Sequence, residues 1–124
     1  MKRVTAARQP SANVIWAWHM LEGTEGQLSI SSLAAQIGWS QKHLIAQFRE
    51  QIGLPPKTVA RILRFRSAVR RVESADQVRW AEIAHDCGYY DQAHFIREFR
   101  GFAGSTPNEF LGRLLPDGGG VIDL

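Results

Sequence analysis

A single cysteine, Cys87, occurs in 124 residues, so no internal disulfide can staple the chain. A secreted scaffold of this size would usually carry several. Long apolar runs are missing too. Nothing approaches the ~20 residues of a membrane span, and the start lacks the apolar stretch of a signal peptide. These absences predict a cytoplasmic protein with no membrane partner. Alternating apolar and polar runs are also missing, so no strand is predicted. There are no clustered carboxylates, no nucleophile–base pair, no phosphate-cradling glycine loop and no set of metal-ligand spacings. The sequence therefore predicts no enzyme, no catalytic residue, no cofactor and no metal.

The length suits one domain, or two very small ones sharing a core, and an apolar content of 44% is enough to bury one. Net charge is only +3, but acids are scarce in one region. From Gln41 to Arg71 the chain carries Lys42, Arg49, Lys57, Arg61, Arg64, Arg66, Arg70 and Arg71 against Glu50 alone. That local positive field suits a polyanionic partner, with an ordinary solvated helix face as the alternative.

Helical periodicity runs between a basic, aperiodic arm at residues 1–11 and a glycine-rich tail at 116–124 that is expected to be mobile. The spacing predicts an all-α chain of seven helices. The first is NVIWAWHMLEG, ended by Gly23. A second runs from about Ile30 to Gln36, and a third follows Ser40 as N-cap to about Ile52. Gly53 and the Pro55–Pro56 pair stop it. A long fourth helix spans about Pro56 to Glu73, with Val59, Ile62, Leu63, Phe65, Val69 and Val72 as its apolar set. Trp80 to Cys87 is the fifth, and Asp91 caps a sixth ending near Gly104. Thr106–Pro107 opens the seventh, which reaches about Leu114.

Two stretches, IGWSQKHLIAQFR at 37–49 and CGYYDQAHFIREFR at 87–100, repeat one pattern. At an offset of fifty Leu33 meets Ile83, Ala34 meets Ala84 and Gly38 meets Gly88. One extra residue in the second turn moves the offset to fifty-one. Ser40 then meets Asp91, and His43, Phe48, Arg49, Gly53 and Pro56 meet His94, Phe99, Arg100, Gly104 and Pro107. Each unit is a short helix, a glycine turn and a longer helix, the helix-turn-helix layout. The units cover 12–54 and 75–115, and a linker helix occupies 55–74.

A helix that reads a major groove needs one face on the body and another offered to base edges. In the third helix Leu44, Phe48 and Ile52 form the inner stripe, leaving Gln41, Lys42, Ile45, Ala46 and Arg49 outward. In the sixth, Phe95, Phe99 and Phe102 are expected inside and Gln92, Ala93, Ile96, Arg97 and Arg100 outside. Gln suits adenine, Arg suits guanine and apolar groups suit the thymine methyl, so the second unit is the richer reader. A fourth helix of about 18 residues is roughly 27 Å long, near the ~34 Å between successive groove faces. Two copies on one rod predict an asymmetric duplex site.

The same residues resemble the DNA-binding domain of the AraC/XylS family of bacterial transcription regulators. The matching stretches are LAAQIGWSQKHLIAQFREQIG, RFRSA at 64–68 and EIAHDCGYYDQAHFIREFRGFAGSTPNEF. The last holds the frame Gly88, Phe95, Phe99, Gly104 and Thr106–Pro107. The resemblance covers about residues 12–115. It implies base reading by Lys42, Ile45 and Ala46 in the first unit and by Gln92, Ala93, His94 and Arg97 in the second. It also implies promoter DNA as partner and RNA polymerase as a second candidate partner. It makes the chain either a short single-domain member or, as the linker-like opening residues favour, the C-terminal part of a longer regulator with a sensing domain ahead.

The matched His43 and His94 lack further ligands nearby and read as packing or phosphate contacts rather than metal ligands. Cys87 reads as a small buried apolar residue. Trp39 and Tyr89 read as aromatics braced across the two corners. Trp16 and Trp18 lie nearly on opposite sides of the first helix. Arg66 lies close to the apolar side of the fourth helix. The rival to DNA reading is a protein-interaction module that contacts polymerase or another regulator without gripping DNA.

Overall fold

The computed structural model describes residues 9–114 and 122–123. Among the described residues the helices are α1 (Ala12–Gly23), α2 (Ile30–Ile37), α3 (Gln41–Ile52), α4 (Pro56–Ser74), α5 (Trp80–Asp86), α6 (Gln92–Ala103) and α7 (Pro107–Leu114). The fold is all-α, as expected. One feature departs from the strandless reading. Val78–Arg79 (β1) and Ile122–Asp123 (β2) pair in parallel, Val78 opposite Ile122 and Arg79 opposite Asp123. Two residues are too few for a two-residue period to register in sequence. The expected mobile tail thus includes a paired dipeptide. The rest of that tail, and residues 1–8 of the arm, lie outside the described residues.

Helix starts follow from side-chain caps. Ser29 Oγ accepts from the Ser32 N–H at 3.1 Å, Ser40 Oγ from His43 N–H at 3.0 Å and Asp91 Oδ1 from His94 N–H at 2.8 Å. Each satisfies one amide that the helix geometry leaves orphaned. α7 opens with a reciprocal capping box. The Glu109 amide donates to Thr106 Oγ1 at 3.1 Å, and the Thr106 amide donates to Glu109 Oε1 at 3.0 Å. That backbone bond is the main cause holding the Glu109 carboxyl below its ordinary pKa.

The duplicated turns share one closing bond. Trp39 N–H donates to Ala34 O and Tyr89 N–H to Ala84 O, both at 3.0 Å. Gly38 and Gly88 sit at φ +89° and +88°, the left-handed conformation that a side chain would strain. A third glycine has a different reason. Gly26 is at φ +81°, and a Cβ there would collide with the carbonyl oxygen of Ala60.

Contacts divide the chain between Ala60 and Arg61, within α4. In the first unit Val14, Ala17 and Leu21 of α1, Leu33 and Ala34 of α2, and Leu44 and Phe48 of α3 are buried, and Trp18 stacks on Phe48 at 6.5 Å. The second unit is centred on aromatics. Trp80, Phe95 and Phe99 are wholly buried, with ring centroids 5.8 Å (Trp80–Phe95) and 5.6 Å (Phe95–Phe99) apart. Phe65 and Phe110 flank Phe99 at 5.1 and 5.3 Å. The Trp80 indole N–H donates to Asn108 Oδ1 at 2.8 Å, so its burial leaves no orphaned donor. Cys87 is buried as expected, its Sγ 3.6 Å from Ser67 Oγ.

Several expectations about helix faces need correction, three of them here. Phe102 is not inside; it is 38% exposed, because it lies in the last turn of α6, where the stripe runs off the core. Its ring rests on Phe65 at 5.2 Å, beneath the Arg61 guanidinium at 5.5 Å. Ile62 is 40% exposed rather than part of α4's inner set. Arg66, placed near the apolar side, is exposed.

Candidate nucleic-acid interface

The outward face of α3 is as the periodicity predicts. Gln41, Lys42, Ala46 and Arg49 are exposed and Ile45 is 38% exposed, while Leu44 and Phe48 are sealed on the opposite side. Lys42, Ile45, Ala46 and Arg49, with Glu50, line one shallow surface concavity. The five candidates on this helix therefore form a single accessible face, cationic toward both ends.

On α6 the prediction divides. Ala93, Arg97 and Arg100 are exposed and Gln92 is half-buried, with Phe95 and Phe99 buried behind them. Spacings of four and three keep Ala93, Arg97 and Arg100 on one stripe. Ile96, expected outward, is half-buried and packs against the core. At one residue beyond Phe95 it borders the inner stripe, and the apolar side chain turns inward. His94 is also drawn into the protein. Its Nδ1 accepts the Tyr90 N–H at 3.2 Å, its Nε2 lies 3.4 Å from Glu98 Oε2, and Tyr89 meets the ring edge-on at 5.2 Å. Trp39 meets His43 in the same way at 4.5 Å. Both aromatic–histidine pairs brace their corners, as the sequence suggested.

Two residues near α6 escaped the sequence reading. Glu98, 8% exposed, is the charged centre of the second unit. Its Oε2 accepts from Arg61 Nε at 3.0 Å and lies 3.7 Å from Arg64 Nη2. Arg64 also stacks over the Tyr89 ring at 5.6 Å. Part of the basic run is thus used internally: Arg61 and Arg64 on Glu98, and Arg71 on Asp86 at 3.7 Å. Burial pushes the Tyr89 hydroxyl well above its ordinary pKa, and Glu98 adds to the shift. The second missed residue, Tyr90, is 91% exposed beside the start of α6. Its signal was available, since Tyr90 is the one residue by which the second turn exceeds the first.

These features define a class: a tandem helix-turn-helix module whose longer helices offer polar, cationic faces. The family model described as "Helix-turn-helix domain" matches residues 33–113, and the chain belongs to the AraC/XylS family of helix-turn-helix transcription regulators. An uncharacterized HTH-type transcriptional regulator of Staphylococcus aureus is 31% identical over 85 residues, 68% of this chain and 11% of that protein. The chain thus spans only a small part of the length of the curated relatives it matches first. The C-terminal domain of AraT, a response regulator from Geobacillus stearothermophilus, has the same fold. It superposes with a TM-score of 0.74 at 22% identity, over 82% of this chain and 84% of that one. The DNA-binding domain of AdpA, a global transcriptional factor solved in complex with a target DNA, aligns at 29% identity and a TM-score of 0.67. That match covers 82% of this chain and 89% of that one. Family and fold are those of DNA-binding transcription regulators, not of enzymes. No helix among the described residues is long and apolar enough to cross a membrane.

Proposed function

We propose that this chain is a sequence-specific, double-stranded DNA-binding module of a cytoplasmic transcription regulator, with α3 and α6 each entering a major groove. One observation carries the reading. Two repeats of one fold unit each seal a largely apolar stripe inward and leave Lys42, Ala46 and Arg49, or Ala93, Arg97 and Arg100, exposed on the other side. Lys and Arg supply salt-sensitive affinity to phosphates, and Gln92 and Arg97 supply most of the hydrogen-bonded base reading. Arg49 and Arg100, at the edge of each face, suit phosphates. The exposed phenol of Tyr90 suits a phosphate beside α6. The AdpA domain's complex with DNA supports the same reading for this related chain.

Selection from a random duplex library tests this. The expected product is one non-palindromic site with two short motifs about 10 base pairs apart. A palindrome, or one short motif, overturns the two-groove reading. Affinity should also fall on the order of 10³–10⁵-fold between 50 and 200 mM salt if six to ten phosphates are contacted. A flat profile is incompatible with the mechanism.

One observation favours a protein contact as a second reading. Phe102 and Leu114, each 38% exposed, join Phe65, Val69 and Phe110 in an open apolar groove, a surface suited to polymerase or another regulator. A module that only bound protein would give no mobility shift on random duplex.

A further inference from the structure

The repeat sets Ile45 against Ile96 and Ala46 against Arg97, and the two helices treat these positions differently. Ile96 packs on the core, whereas Ile45 stays 38% exposed in the middle of α3's outward face. Ala46 beside it is exposed, and Lys42 and Arg49 lie about one turn to either side. Lone exposed aliphatics are common on protein surfaces. Here two apolar side chains share one shallow concavity with two cations and a single acid, Glu50, and a duplex offers chemistry to match the apolar pair and the cations. Phosphates answer the cations, and the C5-methyl of thymine is the apolar group that standard bases display in the major groove. A polar base edge set against Ile45 would instead lose water and gain no hydrogen bond.

We propose that the centre of α3 recognises thymine through its 5-methyl group, with Ile45 and Ala46 packing on that methyl, while α6 reads by hydrogen bonds. This rests on the DNA-binding reading above and names what the first unit selects. It separates the two copies by chemistry: the half-site under α3 should be sensitive to a base methyl that leaves Watson–Crick pairing untouched.

The test uses the full chain and the duplex obtained by library selection. Ile45→Ala, at an exposed position where folding can be checked by circular dichroism, first identifies the half-site whose base preference weakens. Deoxyuridine then replaces thymine in that half-site. The expected result is about fourfold weaker binding per contacted methyl, the change that burial of one methylene-sized group carries. Little further loss is expected when the uracil duplex is tested with Ile45→Ala, because both changes remove the same contact. Uracil in the other half-site should have no such coupling to Ile45. Equal affinity for the thymine and uracil duplexes, a half-site without thymine, or a full uracil penalty persisting in Ile45→Ala would each overturn the proposal. Failure of the parent chain to bind any duplex would instead remove the reading beneath it, before any thymine is changed.

Discussion

Glu98→Ala should be among the most damaging single changes on α6, although Glu98 is not on its exposed face. The carboxylate is 8% exposed, with Arg61 Nε at 3.0 Å, His94 Nε2 at 3.4 Å and Arg64 Nη2 at 3.7 Å. Removing one partner of a fully buried ion pair costs about 3–5 kcal/mol, because the other charge is stranded. That range is too high here. Arg61 is 42% exposed and can rehydrate on release. Arg64 is only 15% exposed, but it keeps its place over the Tyr89 ring. What remains is close to one charge-assisted hydrogen bond with its desolvated partners, about 2–3 kcal/mol. Glu98→Gln retains the shape and an acceptor for Arg61, so it should cost about half as much. Urea unfolding followed by far-ultraviolet circular dichroism would measure both, with a lowered midpoint and an unchanged slope. A Glu98→Ala protein within about 0.5 kcal/mol of the parent, the size of an ordinary surface change, would contradict this.

Arg97→Ala should cost about 1–3 kcal/mol on the selected site and little on random duplex, measured by equilibrium binding at fixed salt; equal losses on both would make Arg97 a phosphate contact. Gly26→Ala should destabilise the chain by about 3 kcal/mol, combining left-handed strain with a clash on the Ala60 carbonyl, and an unchanged thermal midpoint would contradict this. Tyr89, whose hydroxyl burial holds above its ordinary value of 10.0, should make stability fall as pH rises past about 10, because the unfolded chain then releases a proton that the folded one keeps. Tyr89→Phe should lose that dependence, so the urea midpoints of parent and variant should diverge above pH ~10 and run parallel below it.

The caps and turn glycines were legible because their causes are local. Ser40, Asp91 and Thr106 act on amides three residues ahead, and Gly38 and Gly88 interrupt a periodicity visible on both sides. Gly26 was not legible, since what forbids a side chain there is the carbonyl of Ala60, far along the chain. Glu98 was invisible for the same reason. A glutamate next to a phenylalanine reads as solvated until α4 brings up Arg61, 37 residues away. Ile96 and Phe102 depart from the expected exposure because both sit at the edge of the apolar stripe, where a 3.6-residue period cannot decide which way a side chain turns.

Comparing the two copies separates what holds each longer helix from what its outward face presents. The features they share are scaffold: the left-handed glycine, the 3.0 Å bond from the following aromatic's amide, the aromatic–histidine edge contact, and the phenylalanine buried behind the helix. Positions where they differ in identity or burial include Lys42 against Ala93, Ile45 against Ile96, Ala46 against Arg97, and Gln47 against Glu98. Gln47 only accepts from Gln51 at 3.0 Å, whereas Glu98 gathers two arginines and a histidine. The first unit therefore leaves an aliphatic pair bare at its centre, and the second folds its isoleucine away and exposes a guanidinium. If duplication made one helix-turn-helix unit into two, divergence at such positions changed the chemistry that each longer helix presents while the turn that holds it stayed the same.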